Sequence, residues 1–277
     1  MNAIIKTYQS APPVFPLPWA DEWGQDQYGI WMAFYCRGVR QCMRWIKPGR
    51  FKMGSPKTEK ERYEDETQHE VILTEGFWLA DTTCMQELWE AVMGDNPSKF
   101  KGPQRPVECV SWEDCQVFFQ KINQFKPDLE LCLPTEAQWE YACRAGTTTP
   151  FSFGENITPE QVNYNGEYPY AGGKKGMYRK QTVEVKSLPC NNWGLYQMHG
   201  NVWEWCADWY GEIVTYTGVN PTGAASGEDR VCRGGSWFYD GRFARSADRS
   251  GSTPASRGDD HGFRFSQVIS SLASKKQ

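Results

Sequence analysis

Residues 230–265 read RVCRGGSWFYDGRFARSADRSGSTPASRGDDHGFRF, and this stretch decides how the rest of the chain is interpreted. It opens on Gly-Gly-Ser-Trp at 234–237 and closes on Gly-Phe-Arg-Phe at 262–265. Between these motifs, residues 238–261 contain no Leu, Ile, Val, Met, Lys, Glu or Gln. A segment without aliphatic periodicity does not bury a face as a strand or helix, so we predict an ordered, exposed loop. Long loops in compact domains are usually functional, and the alternative is a surface loop without a function.

The same segment contains four arginines, whose planar guanidinium groups can bind backbone carbonyls and carboxylates. We predict that they hold the loop on the rest of the fold. Trp237 and Arg264 are predicted to be buried and to fix its two ends. The predicted scaffold positions are Trp237, Arg242, Arg245, Arg249, Pro254, Arg257 and Arg264.

Several motifs in a fixed order resemble those of the formylglycine-generating enzyme (sulfatase-modifying factor) family. They are LPTEAQWEYA at 133–142, HGNVWEWCAD at 199–208, RGGSW at 233–237 and GFR at 262–264. The resemblance runs from about residue 45 to residue 265. It implies an α+β fold of the C-type lectin-like kind, rich in loops, with short antiparallel strands and about three helices. This fold hosts enzymes and binding proteins alike, so it does not decide the function.

The pattern along the chain indicates one domain over residues 30–268. A Pro- and aromatic-rich arm, residues 1–29, is predicted to pack on it, and residues 269–277 are predicted to be a disordered tail. Capping boxes mark the starts of two helices, at Ser111 to Asp114 and at Thr135 to Gln138. The second capping box opens the predicted helix at 136–145, and the other predicted elements are strands at 30–36, 39–46, 51–54 and 71–79 and a helix at 83–93.

Composition narrows the classes of function. A formal net charge of −4 and a pI of about 5.6 give no electrostatic reason to expect nucleic acid. No apolar run is long enough to span a membrane, and residues 1–13 lack the apolar core of a signal peptide. The ten cysteines form no Cys-x-x-Cys pair, which favours free thiols in a reducing compartment. We therefore expect a cytoplasmic protein without membrane or nucleic-acid partners.

The resemblance also predicts that the chain is not an enzyme. Formylglycine-generating enzymes use a cysteine pair shortly after Gly-Gly-Ser-Trp, because thiolates bind the copper ion. The matching positions here are Tyr239 and Ala244. A second branch, the sulfoxide synthases of thiohistidine biosynthesis, binds iron through histidines of an additional helical domain. This chain has only His69, His199 and His261, without a His-x-x-x-His pair, so no cofactor is expected to be required.

A structural calcium ion is implied by the same resemblance. Family members hold one at the Gly-Asn-x-Trp-Glu turn. Carried over, its ligands are Gln197, the carbonyls of Gly200 and Val202, and Glu204. Oxygen ligands suit calcium, although Gln197 stands where the family usually has Asn. The alternative is that Glu204 pairs with an arginine.

More narrowly, the chain resembles the variable proteins of diversity-generating retroelements. In these proteins, adenine-directed mutagenesis rewrites codons that often lie between Gly-Gly-Ser-Trp and Gly-Phe-Arg. AAY codons mutated at adenine become NNY codons, which never encode Lys, Glu, Gln, Met or Trp. The candidate positions carry none of these five types. They are Phe238, Tyr239, Asp240, Phe243, Ala244, Asp248, Ser250, Gly251, Ser252, Ala255, Ser256, Gly258, Asp259, Asp260 and His261.

The function that follows is binding of an unknown protein or other macromolecular ligand through residues 238–261. Two alternatives stay open. One is a metal-dependent oxidase related to formylglycine-generating enzyme or sulfoxide synthase, and the other is an accessory interaction domain with an invariant partner. A reverse transcriptase gene in the flanking DNA, with an adenine-rich near-copy of codons 238–261, would favour the variable protein.

Overall fold

The computed structural model of the chain describes residues 11–212 and 218–268. Within these ranges the chain is α+β, with three α-helices and short, mostly antiparallel strands joined by long loops, as predicted. The helices are α1 (Gln86–Met93), α2 (Trp112–Phe125) and α3 (Glu136–Arg144). The strands are β1 (Glu22–Asp26), β2 (Gly29–Cys36), β3 (Val39–Ile46), β4 (Gly49–Met53), β5 (His69–Leu73), β6 (Phe77–Ala80), β7 (Trp203–Trp209), β8 (Arg230–Arg233), β9 (Arg249–Ser252), β10 (His261–Gly262) and β11 (Ser266–Val268).

The described strands form three sheets. The largest has the order β1-β2-β3-β6-β11, so the two ends of the domain lie in one sheet. A second sheet, β10-β7-β8-β9, carries the segment that the sequence singles out. Strands β4 and β5 form a separate antiparallel pair.

The hairpin predicted from the apolar runs of β2 and β3 is confirmed. Cys36 pairs with Val39, which leaves a two-residue turn at Arg37 and Gly38. Both turn residues have positive φ, 48° and 86°. This backbone matches the right-handed twist of the flanking strands, and Gly38 adopts it without strain.

The single strand predicted for residues 71–79 is wrong, because the chain changes sheets in its middle. β5 ends at Leu73 and pairs with β4, whereas β6 begins at Phe77 and pairs with β3. The connection is closely packed: a Cβ on Gly76 would lie 2.3 Å from the Trp45 ring. Because apolar residues flank this turn on both sides, the sequence pattern predicts a single strand across it.

Both predicted capping boxes are confirmed. The Ser111 side chain accepts from the Asp114 N–H and the Asp114 side chain from the Ser111 N–H, and Thr135 and Gln138 exchange the same bonds at α3. Helix α1, in contrast, begins at Gln86 rather than at residue 83. Just before it, the Cys84 N–H donates to a carbonyl of the closing motif at 2.8 Å, in an extended connection.

The closing motif itself is part of the aromatic core. Phe263 lies fully buried against the rings of Trp89 and Phe118, at centroid distances of 6.0 and 5.4 Å. Phe265 is buried in the same cluster. Arg264, between the two phenylalanines, is fully buried among polar groups.

The described part of the predicted N-terminal arm adds to the same core. Trp19 is 2% exposed, packs on Phe34 and Trp78, and donates through Nε1 to Gln267 Oε1 at 3.1 Å. The first ten residues of the predicted arm and the predicted tail at 269–277 lie outside the described residues. No helix in the described part of the chain has the length and apolarity needed to cross a bilayer.

Candidate functional site

The segment 238–261 has more regular structure than the sequence predicts. A short 3-10 turn at Gly241–Ala244 is followed by β9, which pairs antiparallel with β8. β10 then pairs in parallel with β7. The prediction of a loop without strands is therefore wrong at β9, because backbone hydrogen bonds hold that strand and no aliphatic face is required.

Arg245 is the most strongly held of the predicted scaffold arginines. Its side chain is fully buried and donates to Glu66 at 2.6 and 2.7 Å and to Glu59 at 2.8 Å. Burial disfavours the charged form, but the hydrogen bonds that Arg245 donates to Glu66 outweigh this effect and raise the pKa of Arg245 above its ordinary value. The arginine is therefore a fixed cation that ties the segment to residues 59–66.

Arg249 holds the next part of the segment in a similar way. Its guanidinium group donates to both carboxylate oxygens of Glu136 at 2.8 Å and lies 4.7 Å from the centre of the Tyr210 ring. A third arginine of this kind, Arg233, is not among the positions predicted from the sequence. It is fully buried and donates to the carbonyls of Ser246 and Ala247 at 2.8 and 3.0 Å.

The two remaining arginines of the segment lie at the surface. The side chain of Arg257 is 52% exposed and binds both oxygens of Asp114 at 2.7 and 2.9 Å. The side chain of Arg242 is 39% exposed, and its guanidinium group lies over the rings of Tyr63 and Phe243. Pro254 accepts from the Glu113 N–H through its carbonyl at 3.3 Å.

The two ends of the segment are buried as predicted. Trp237 is 7% exposed, lies between Phe100 and Tyr178, and donates through Nε1 to the Asp259 carbonyl at 3.1 Å. Arg264 is fully buried and binds both carboxylate oxygens of one glutamate, at 2.6 and 2.7 Å. These contacts fix where the segment begins and ends.

The candidate variable positions differ in exposure. Phe238, with 55% of its surface exposed, and Ala255 are exposed. The prediction of an exposed side chain is wrong at Ala244, Asp248 and Asp260, which are buried. The half-buried positions are Tyr239, Asp240, Phe243, Ser250, Gly251, Ser252, Ser256, Gly258, Asp259 and His261.

Each of the three buried positions has a packing reason. The Ala244 carbonyl lies 2.7 Å from Nδ1 of the buried His199. Asp248 lies 3.5 Å from the Arg245 guanidinium group, and burial raises its pKa well above the ordinary value. Asp260 accepts from the Ser236 hydroxyl at 3.0 Å. The Ala244 backbone and the side chains of Asp248 and Asp260 therefore hold the segment on the residues beneath it.

Tyr239 and Phe243 combine partial exposure with core contacts. The Tyr239 ring packs edge-on against Trp203 and Phe243, at centroid distances of 5.7 and 5.0 Å. Both residues border the main aromatic core. Their outer faces can contact a ligand, while their inner faces contribute to the fold.

A groove borders this surface, and no pattern along the chain indicates it. It has a volume of about 490 Å³ and lies between residues 167–175 and residues 240–242. Backbone bonds join its walls: the Asn165 N–H donates to the Tyr239 carbonyl at 2.9 Å and the Gly241 N–H to the Tyr168 carbonyl at 3.0 Å. Tyr168 itself is 61% exposed.

The family follows from a direct comparison. The model of the sulfatase-modifying factor enzyme 1-like domain matches residues 36–269. The chain belongs to this family. The three helices and the antiparallel sheets of the described residues have the C-type lectin-like fold of the formylglycine-generating enzymes, as predicted.

Individual relatives include both an enzyme and a variable protein. The chain is 33% identical over 228 residues to the mouse (Mus musculus) formylglycine-generating enzyme, a match to 75% of this chain and 59% of that protein. Treponema denticola variable protein 1 superposes with a TM-score of 0.74 and 29% identity, over 86% of this chain and 98% of that one. PvdO from Pseudomonas aeruginosa superposes with a TM-score of 0.74 and 25% identity, over 86% of this chain and 98% of that chain. The chain thus spans less than two thirds of the mouse enzyme.

Among the residues carried over from the family's calcium site, the one carboxylate already has a cationic partner, whereas Gln197 Oε1 is buried without a hydrogen-bond partner among residues 11–212 and 218–268. Both oxygens of Glu204 are bound by Arg264, and the second also accepts from Trp139 Nε1 at 2.7 Å. Gln197 directs its amide nitrogen to the Glu184 carbonyl at 3.0 Å. The arginine therefore supplies the positive charge that calcium would supply, and the calcium site stays a prediction without support from these contacts.

Removal of divalent cations is accordingly expected to leave the stability of the protein unchanged. EDTA should shift the thermal midpoint by less than about 1 °C, because a bound structural ion would contribute stability that chelation removes. Differential scanning calorimetry with and without EDTA, and with added calcium, measures this shift. A midpoint that falls by several degrees with EDTA and recovers with calcium would show that the protein binds a structural calcium ion and would contradict this expectation.

Proposed function

We propose that the chain is a non-catalytic ligand-binding protein that presents residues 238–261 as a diversified surface, like the variable proteins of diversity-generating retroelements. The observation that carries this proposal is that some residues of the segment hold its backbone while others point into solvent. Buried Arg245 and Arg249 hold its backbone, while Phe238 and Ala255 direct their side chains outward. A surface can change its side chains only if other groups hold the backbone.

The similarity to Treponema denticola variable protein 1 supports the same function. It covers 98% of that protein, whereas the similarity to the mouse enzyme covers 59% of the enzyme. The ligand is an unknown protein or other macromolecule, bound in the cytoplasm. Sequencing the flanking DNA for a reverse transcriptase gene and a near-copy of codons 238–261 tests the diversification directly.

The residues at the family's cysteine positions support a non-catalytic role. Tyr239 and Ala244 provide no thiolate, and the Tyr239 ring packs against Trp203 and Phe243 at this place. Ala244 is 1% exposed and so does not face a substrate.

We expect the purified protein to leave a Cys-x-Pro-x-Arg peptide unchanged in the presence of copper and oxygen, because copper–thiolate chemistry has no ligands at Tyr239 and Ala244. Mass spectrometry of the peptide after incubation measures conversion of the cysteine to formylglycine. A formylglycine-generating enzyme incubated in parallel serves as the positive control. Copper-dependent conversion by this chain would contradict the non-catalytic assignment.

Substitutions of the outward-facing side chains are expected to leave the fold intact. Phe238→Ala and Ala255→Ser at exposed positions, and Ser256→Ala at a half-buried one, should each change the free energy of unfolding by about 0.5 kcal/mol or less. Tyr239→Ala and Phe243→Ala should cost more, about 1–3 kcal/mol, because their inner faces pack on Trp203. Urea denaturation of the five variants measures both groups. If the first three substitutions unfold the protein, the whole segment belongs to the core, and the proposal of a diversified surface is wrong.

A further inference from the structure

The groove beside the segment has the composition of a cation site. It is lined by an exposed tyrosine ring, a glycine pair and three carboxylates, and it shares Asp240 and Arg242 with the segment 238–261. We propose that this groove binds the guanidinium group of an arginine side chain presented by the macromolecular ligand. The inference rests on the proposed function, since it names the chemistry that one part of the ligand brings to the surface.

The aromatic wall of the groove already attracts a cation. Tyr168 is 61% exposed, and the Lys175 ammonium lies 6.0 Å from the centre of its ring. The face of an aromatic ring carries negative electrostatic potential and binds cations at such distances. A planar guanidinium group stacks on the ring and is less strongly hydrated than an ammonium group, so it can replace Lys175 there.

The charges around the groove leave an excess of negative charge. Glu61, Glu167 and Asp240 line it together with Lys175 and Arg242. Arg242 is compensated within the chain, because it lies 3.6 Å from Asp240 Oδ1 and 4.7 Å from the centre of the Phe243 ring. The two glutamates then face one lysine. A cationic group of the ligand would neutralise this excess negative charge, whereas an anionic group would increase the repulsion.

The floor of the groove leaves room for a flat group. Gly172 has a φ of +72°, and a Cβ built on it would meet no atom within 4 Å. The Glu61 carboxylate accepts from the Ala171 N–H at 3.0 Å, which fixes this part of the floor. Gly172, the Tyr168 ring and three carboxylates line the same groove, so a guanidinium group bound there can contact both a ring and carboxylate oxygens, the two contacts that arginine makes together.

The proposal is tested with a small probe. We would titrate the nitrogen-15-labelled protein with N-acetyl-L-arginine methylamide and follow the amide signals of Gly172 and Gly173 by NMR. The neutral citrulline analogue, which has nearly the same shape, is the matched probe. We expect saturation with a dissociation constant of about 1 mM for the arginine probe and at least about fivefold weaker binding of the citrulline probe. Added salt should reduce the difference.

Variants of the lining residues should change this affinity in opposite directions. Glu167→Gln and Tyr168→Leu should weaken the binding of the arginine probe about three- to tenfold, since one removes a charge partner and the other the ring. Lys175→Ala should strengthen it about two- to threefold, because a competing cation leaves. Glu90→Gln, an exposed position on α1, is the control and should have no effect.

Two results would overturn the assignment. Equal responses to the arginine and citrulline probes would show that the charge is not recognised, and weaker binding in Lys175→Ala would point to an anionic ligand instead. Either result would leave the proposed function standing, because peptide conversion and the stability of the surface variants test that function without this probe.

Discussion

Arg245→Ala is expected to lower the free energy of unfolding by about 3–5 kcal/mol, enough to unfold a large fraction of a marginally stable protein. The side chain is fully buried and neutralises Glu66, which is itself fully buried, and Glu59. Without the guanidinium group these carboxylates stay buried without a countercharge, and that cost exceeds the value of the lost hydrogen bonds. Urea denaturation followed by tryptophan fluorescence measures the change.

Arg257→Ala is the matched control for this experiment. It removes an arginine that also binds a carboxylate through two hydrogen bonds, to Asp114, but whose side chain is 52% exposed. Water solvates the remaining Asp114, so we expect a loss of about 0–1 kcal/mol. Equal effects of the two substitutions would show that Arg245 does not hold the segment through buried charge pairs.

Trp237→Ala is expected to have an effect of similar size, about 3–5 kcal/mol, for a different reason. The indole is 7% exposed, packs edge-on against Phe100 at 5.3 Å and stacks on Tyr178 at 6.2 Å. Truncation leaves a cavity at the start of the segment and removes the hydrogen bond to the Asp259 carbonyl. The denaturant midpoint and the slope together measure the loss.

The adjacent aromatic residue is the control for burial. Phe238 contacts the Trp237 ring at 5.5 Å but is 55% exposed, so its truncation should cost only about a tenth as much. A loss below about 1 kcal/mol for Trp237→Ala would contradict the assignment of this residue as the anchor of the segment.

Local signals in the sequence predicted local structure correctly. The turn at Arg37 and Gly38 and the capping boxes that begin at Ser111 and Thr135 depend on residues within four positions of each other. Hydrogen bonds over such short separations form the same way in any fold. The prediction of one strand over residues 71–79 is wrong because it depends on a long-range contact. Gly76 packs against Trp45, which lies far from it along the chain, and no local signal indicates this contact.

The burial of charged residues could not be predicted from the residue pattern of segment 238–261. Aspartate is seldom fully buried, yet Asp248 is 1% exposed beside Arg245. The carboxylates that neutralise Arg245 and Arg249 belong to Glu66 and Glu136, which lie more than 100 residues away along the chain. The lack of aliphatic residues predicts an exposed segment, whereas ion pairs hold its inner side. The groove was missed likewise, since residues 167–175 meet residues 240–242 only in the folded chain.

Both ends of the segment are tied to the same short stretch of the chain. The Trp237 N–H donates to the Asn201 carbonyl at 3.0 Å, and the Trp203 N–H donates to the Asp260 carbonyl at 2.7 Å. The segment is therefore a closed loop whose end-to-end distance the scaffold sets. Doubling the length of such a loop costs only about 0.6 kcal/mol of closure entropy. Between Ser252 and Arg257, beyond the last buried arginine, the loop can accordingly accept insertions, and a foreign peptide grafted there would be displayed with both of its ends held in place.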